Sequence, residues 1–364
     1  MRKVILSLVL SLICLGINTK TVIHAGYLFN TDNGSVEPEM SIIIENERFS
    51  EVLEGYVSPS PEDNYIDLTG YYVLPGLIDM HVHLTNQSSN RAYLERITLN
   101  AADYAIRATK NAENTLMAGF TTVRNLGDSD TVTISLRNAI NNGIVIGPRI
   151  FSSGKTISST GGHGDTTNSL NQTLTSDLGP KDGVMNGELD ALKSVRYRYK
   201  ENADLIKITA TGGVLSNAKD GQNPQMTLNE IKAVVDAAKD YGFKVAAHAH
   251  GSEGIKRATL AGVDSIEHGT LMDKEGAQLM RENGTYYVPT LLAGKWVADK
   301  ALIKDYYPPF VEKKALEIGP KLQSTFSMAH QSGVKIAFGT DSGVSPHGEL
   351  SLIHISEPTR HDRI

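Results

Sequence analysis

The chain has 364 residues, 40% of them hydrophobic, and a formal net charge of −6. That length exceeds one small domain and suits a barrel-sized enzyme with a modest accessory domain. The mild acidity argues against a nucleic-acid partner, which selects basic patches, and no low-complexity tract or internal repeat appears.

The chain opens with Arg2 and Lys3, followed by an almost wholly apolar run from Val4 to Leu15. Cys14-Leu15-Gly16 then offers small residues at the two positions a signal peptidase prefers. Residues 1–16 therefore read as a secretory signal peptide, and the expected location is secreted or periplasmic. The apolar run is about 12 residues where a helix crossing a bilayer needs roughly 20, so no stable membrane span is expected after its removal. A buried N-terminal strand or helix is the alternative. Cys14 is the only cysteine. Its loss with the leader excludes a disulfide framework, a cysteine nucleophile and a cysteine-ligated zinc. Any metal must then be held by His, Asp, Glu or Lys.

Residues 17–72 read as a small β domain, the N-terminal half of an expected β-sandwich element. Thr21-Val22-Ile23-His24-Ala25 suits a strand, Asp32-Asn33-Gly34 a turn, Ser41-Ile42-Ile43-Ile44 a second strand, and Val52 falls in a third. From Val73 onward, apolar runs alternate with helical patterns, the signature of parallel βα units. The strand candidates are 77–83, 121–125, 149–153, 205–210, 244–248, 265–268, 286–289 and 335–340. Between them, Thr227-Leu228-Asn229-Glu230 is a capping box, followed by Ile231, Val234, Val235 and Ala238 at helical spacing. Asp273 suits the cap of a helix reaching Met280. Eight strands with seven intervening helices predict an α/β fold, a (β/α)8 TIM-like barrel over residues 73–349. A doubly wound sheet is the alternative, but no glycine-rich phosphate loop follows an early strand.

In such a barrel, side chains alternate between interior and helix layer, and functional groups gather at the C-terminal ends of strands. Asp79, His81 and His83 share a face of the first strand. Neutral imidazoles two residues apart can converge on a divalent cation, although a lone His-x-His is as often ordinary polarity. Lys207 faces inward on the fourth strand, where an ammonium needs a carboxylate partner or is neutralised or modified for chemistry. His248 and His250 share a face at the end of the fifth strand, and alternation does not choose between them. His268 ends the sixth strand, and Asp341 follows the eighth. His163 lies in the glycine-rich loop Thr160-Gly161-Gly162-His163-Gly164-Asp165. It could stabilise an oxyanion, bind substrate, or make only a local hydrogen bond. Arg124, ending the second strand, could meet a substrate carboxylate or form a structural ion pair. Four histidines, a lysine and an aspartate at one end of five strands point to a shared site.

The run Val73-Leu74-Pro75-Gly76-Leu77-Ile78-Asp79-Met80-His81-Val82-His83 resembles the signature of the amidohydrolase superfamily. Gly119-Phe120-Thr121-Thr122-Val123-Arg124, the His163 loop, Asp204-Leu205-Ile206-Lys207-Ile208 and Phe338-Gly339-Thr340-Asp341 extend the match over residues 20–349. The pattern is closest to the branch of imidazolonepropionase-related enzymes and Xaa-Pro dipeptidases (prolidase-like). The resemblance implies two divalent metal ions, with zinc the expected metal. His81 and His83 would hold the more buried ion. Lys207, carboxylated by carbon dioxide, would bridge both ions as a carbamate. His248, rather than His250, and His268 would hold the second. Asp341 would touch the first ion and carry protons. The implied activity is hydrolysis of an amide or peptide-like C–N bond by a metal-bridging hydroxide, with Xaa-Pro dipeptides as candidate substrates. The expected partner is a small molecule or dipeptide, and the expected assembly a homo-oligomer. The alternatives are a single-metal imidazolonepropionase-like or deaminase-like enzyme, against which Lys207 argues, and a degenerate scaffold.

After His347-Gly348-Glu349 the match fades. Ile355 to Ile364 is polar with Pro358 and no helical period, residues 350–364 read as an atypical, non-native tail, and the C-terminal part of the barrel reads as truncated. Uncovered strand and helix surfaces would make this chain unstable or inactive.

Overall fold

The computed structural model describes residues 19–217 and 221–348. The expected signal peptide and the 350–364 tail lie outside the described residues. The chain divides into two compact units, one ending at Gly76 and one beginning at Leu77.

The first unit is a four-stranded sheet. Its strands are β1 (Thr21–Phe29), β2 (Val36–Glu45), β3 (Arg48–Glu54) and β4 (Asn64–Val73), in the order β3-β2-β1-β4. β1 runs antiparallel to β2 and parallel to β4. Val22, Ala25, Met40, Ile42 and Ile43 form its buried apolar positions. The register of β1 against β4 shifts between Ala25 and Tyr27. Gly26 sits at that irregularity, where a Cβ would come 2.1 Å from the Thr69 carbonyl oxygen, so the close approach requires glycine. β4 is not expected from sequence. Most of it is exposed, and Tyr71-Tyr72 with Gly70 lacks the alternation that marks a half-buried strand. Of the expected sandwich, the described residues supply this one sheet.

The second unit alternates strands and helices. In order these are β5 (Leu77–Val82), α1 (Ala92–Thr98), α2 (Ala101–Met117), β6 (Phe120–Asn125), α3 (Val132–Asn141), β7 (Arg149–Ser152), β8 (Ser158–Ser159), β9 (Val184–Met185), α4 (Glu188–Lys200) and β10 (Ile206–Thr209). They continue with α5 (Leu228–Asp240), β11 (Val245–Gly251), α6 (Ser252–Ala261), β12 (Ser265–Leu271), α7 (Lys274–Asn283), β13 (Tyr286–Val288), α8 (Leu291–Ala301), α9 (Pro309–Ile318) and α10 (Leu322–Gln331). β5-β6-β7 form one parallel sheet and β10-β11-β12-β13 another. Seven of the eight expected strand segments are strands.

The eighth segment, 335–340, and the residues just after it make isolated parallel bridges instead, Ile336 with Tyr287 and Ser342 with Val82. Its backbone still bonds on both sides. The Ala337 amide donates to the Tyr287 carbonyl at 2.9 Å, and the Asp341 amide to the His81 carbonyl at 2.7 Å. Ile157, beyond β7, bridges to β10, its amide donating to the Lys207 carbonyl at 2.8 Å and its carbonyl accepting from the Thr209 amide at 3.0 Å, while the Ser152 carbonyl of β7 accepts from the Asp204 amide just before β10 at 2.7 Å.

The helix-facing side chains of β10, β11 and β12 (Ile206, Ile208, Val245, Ala247 and Ile266) pack with Ile231, Val234 and Val235 of α5 in one buried cluster. Each valine or isoleucine among them contributes about 1.5–3 kcal/mol by leaving water. α5 starts as its sequence predicts. Thr227 Oγ1 accepts from the Glu230 amide at 3.2 Å, and Glu230 Oε2 accepts from the Thr227 amide at 2.9 Å. Asp273 Oδ1 caps α7 by accepting from the Gly276 amide at 2.7 Å. The opposite faces of the same strands carry Lys207, His248 and Glu267, all buried.

Candidate metal centre

β5 buries Asp79 and His81 completely while Ile78 is half exposed, the parity expected for an inward Asp79-His81-His83 face. His83 lies one residue beyond the strand. His81 Nε2 stands 3.3 Å from His83 Nε2 and 3.5 Å from Asp341 Oδ1, and His83 Nε2 stands 3.2 Å from Asp341 Oδ1. Bonds of about 2.0–2.1 Å in tetrahedral array put donor atoms about 3.3–3.4 Å apart, so this triangle fits one small divalent cation. Asp341 Oδ1 is buried and makes no well-directed hydrogen bond, which leaves a lone pair for such an ion. Burial alone would raise the Asp341 carboxyl, but His81, His83 and Lys207 outweigh it and hold the group below the usual carboxylate range.

Buried partners aim these ligands. His81 Nδ1 lies 2.9 Å from Glu267 Oε2. With the proton on Nδ1 donated to Glu267, the Nε2 lone pair faces Asp341 and His83. Burial lowers the His81 pKa to about 4, with Lys207 adding to the effect, so the ring is neutral near pH 7. Burial would raise Glu267, yet Arg124, His81 and Lys207 bring it down to about 2. Asp79 ties β5 to the last segment, accepting from the His81 amide at 3.0 Å and from Thr340 Oγ1 at 2.5 Å. Burial pushes its carboxyl up to about 7 against those hydrogen bonds.

Arg124 corrects one expectation. Its Nε donates to the Met80 carbonyl at 2.6 Å, Nη1 to Ser265 Oγ at 3.1 Å, and Nη2 to Glu267 Oε1 at 2.7 Å. All three nitrogens are committed inside the protein, so Arg124 forms the structural ion pair and is not an open clamp for a substrate carboxylate.

The remaining predicted residues gather beside this triangle. The His268 ring lies 5.0 Å from His81, 4.7 Å from His248 and 5.0 Å from His250, centroid to centroid. Thr290 Oγ1 bonds His268 Nδ1 at 2.8 Å, the Gly212 carbonyl meets His248 Nε2 at 3.0 Å, and Thr270 Oγ1 meets His250 Nδ1 at 2.9 Å. Each ring keeps one nitrogen beyond that contact. Lys207 is buried among these groups. Burial lowers its pKa to about 8, opposed by the nearby carboxylates of Glu267 and Asp341. His163 stacks on His248 with centroids 4.2 Å apart. Its Nδ1 is buried without a hydrogen-bond partner, and burial, helped by the charges of His250 and Lys207, lowers its pKa to about 3. Gly213 makes room for it, since a Cβ there would lie 2.2 Å from His163 Cε1.

Three residues of the site adopt left-handed backbone: His268 within β12 (φ 70°), Thr290 just after β13 (φ 49°) and Asp341 just after the eighth segment (φ 58°). Such conformations cost on the order of 1–3 kcal/mol each and persist only where the surroundings enforce them. At His268 the consequence is direct. Strict alternation would send Glu267 and His268 to opposite faces, but the turn brings both inside. Glu267, Asp79 and Thr290 are the site residues that sequence reasoning did not assign. The inward parity of Ser265 and Glu267 was the available signal for Glu267. Nothing local in the sequence announces Thr290.

The profile of the amidohydrolase family matches residues 72–358. A solved Xaa-Pro dipeptidase with bound methionine in its active site is 52% identical, with a TM-score of 0.88 over 91% of this chain and 81% of that one. A prolidase complexed with N-methylphosphonate-L-proline is 34% identical, with a TM-score of 0.81 over 89% of this chain and 78% of that one. Ochratoxinase of Aspergillus niger is 29% identical over 299 residues, which cover 77% of this chain. The match spans 59% of the length of that curated relative. These neighbours imply a TIM-barrel-like α/β fold. Among the described residues, no helix is long and apolar enough to cross a membrane. With a family profile over most of its length and a metal-fitting His/His/Asp cluster at the strand ends, the chain belongs to the amidohydrolase family, whose members are metal-dependent hydrolases.

Proposed function

We propose that the chain hydrolyses amide C–N bonds of small molecules, Xaa-Pro dipeptides among them, with two divalent cations, zinc in the first instance. The convergence of His81 Nε2, His83 Nε2 and Asp341 Oδ1 carries this reading. In this reading the eight parallel segments close as a (β/α)8 barrel with residues 17–72 as a separate β domain, and the protein acts outside the cytoplasm after losing its leader.

His81, His83 and Asp341 would hold one cation, and His248 and His268 the other, with Lys207 between them as a carbamate. Carbamate formation needs the neutral amine, which adds to carbon dioxide and releases one proton. A pKa of about 8 leaves about a tenth of Lys207 neutral at pH 7, some hundreds of times more than an ordinary lysine would offer, and removal of the amine into the carbamate draws the rest across. Bound divalent cations supply an acidified water and a polarised substrate carbonyl. The protein supplies the proton path. The Asp341 carboxylate, ionised and short of hydrogen bonds, takes the proton from the attacking water and returns it to the leaving nitrogen. His163, neutral and with a free nitrogen, is placed to bind the carbonyl oxygen or a neighbouring substrate atom.

A single-cation enzyme is the second reading. It rests on one observation: among the described residues, His81, His83 and Asp341 form the group whose donor atoms lie within 4.8 Å of one another, and His248 and His268 stand outside it.

The test of the hydrolase reading is a dipeptide panel assayed for free amino acid release by the zinc-loaded chain. Hydrolysis of one or more Xaa-Pro dipeptides, abolished by a chelator and restored by metal, is expected. No release from any dipeptide, or release indifferent to the chelator, overturns it.

A further inference from the structure

A cavity of about 130 Å³ opens directly beside His83. That is roughly ten times the space one water needs, enough for part of a small substrate. Its wall carries three charged side chains from α1 and α2: Glu95, Arg96 and Arg107. Two of them cancel. Arg107 grips Glu95 with both terminal nitrogens, at 2.8 and 3.3 Å. Arg96 pairs with no carboxylate among the described residues, and the wall is left with one uncompensated positive charge.

Arg96 is nevertheless positioned. Its guanidinium carbon stands 5.1 Å from the Tyr93 ring centroid, a cation–π contact that orients the group without using its hydrogen-bond donors. Tyr93 is fixed in turn, because its hydroxyl donates to the Leu215 carbonyl at 2.9 Å. Leu215 and Tyr93 give the same cavity an apolar wall. A planar cation with no ion-pair partner among the described residues, an apolar wall and His83 in the same lining together describe a subsite for a carboxylate attached to a small hydrocarbon body.

Building on the hydrolase reading, we infer that Arg96 anchors the free carboxylate of the substrate, so that the enzyme selects N-acylated amino acids and dipeptides over their carboxamides. Arg96 is thus a binding residue, and it takes the role that Arg124, committed to the pair with Glu267, cannot fill.

Calorimetry with N-acetyl-L-proline and N-acetyl-L-prolinamide tests this without requiring turnover, so a failure of the hydrolase reading and a failure of this inference are read separately. The intact protein is expected to bind the acid at least about tenfold more tightly than the amide, the usual worth of a charge-assisted contact. Arg96→Ala should bring the ratio to about one, and Arg96→Lys should keep part of it. Equal binding of acid and amide by the unmodified protein, no binding of either, or a preference that survives Arg96→Ala overturns the inference.

Discussion

Asp341→Asn is expected to lower kcat on any hydrolysed dipeptide by about a hundredfold to ten-thousandfold, the range associated with losing a positioned proton carrier. The substitution keeps the shape of the side chain and removes its charge and basicity. The fold has little to lose, because Asp341 Oδ1 makes no well-directed hydrogen bond to the protein. The left-handed backbone at this position also tolerates asparagine about as well as aspartate. Thermal midpoint and circular dichroism should therefore stay close to those of the parent while turnover collapses. Steady-state rates at matched metal content check this. A kcat within tenfold of the parent would show that another group moves the proton.

Glu267→Ala is expected to act in the opposite way, on stability first. Glu267 is fully buried between Arg124 at 2.7 Å and His81 Nδ1 at 2.9 Å. Removing it leaves a guanidinium charge without its carboxylate in the interior. Breaking one partner of a buried ion pair costs about 3–5 kcal/mol, and the vacated volume adds to that. It also frees His81 to turn, so metal retention should fall as well. Denaturant midpoints of Glu267→Ala, Arg124→Met and the double variant form the check. Much of the loss should return in the double variant, where no buried charge is left alone. Additive losses, or an unchanged midpoint for Glu267→Ala, would mean that the pair contributes little.

These two residues illustrate what was legible in the sequence. His81, His83 and Lys207 could be placed because strands alternate, and each sits at or near the end of an apolar run, whereas His248 was preferred to His250 only through the family resemblance. Asp341 could be placed because the chain around it matches a known pattern. Alternation fails where the backbone leaves the extended region, as at His268, so a rule that located the residue could not say that Glu267 shares its side of the strand. Arg124 shows the other limit. Its position at a strand end suggested a ligand-binding cation. Only the neighbours that tertiary folding brings in, Ser265 and Glu267 from a strand about 140 positions away, reveal a structural pair. β4 was obscured for a simpler reason, while the eighth segment was legible as a strand and differs only in how it pairs. β4 is mostly exposed and so carries no strong periodic pattern, and the eighth segment, strand-like in sequence, pairs through isolated bridges.

The most direct test of the metal centre is elemental analysis of the purified chain and of its Lys207→Ala variant, each after metal loading and removal of excess ion. The parent is expected to retain two divalent ions per chain. The variant, without the bridging carbamate, should retain one or none. A parent that holds no ion would contradict assigning His81, His83 and Asp341 as ligands, and one ion per chain, unaffected by Lys207→Ala, would contradict the two-ion site.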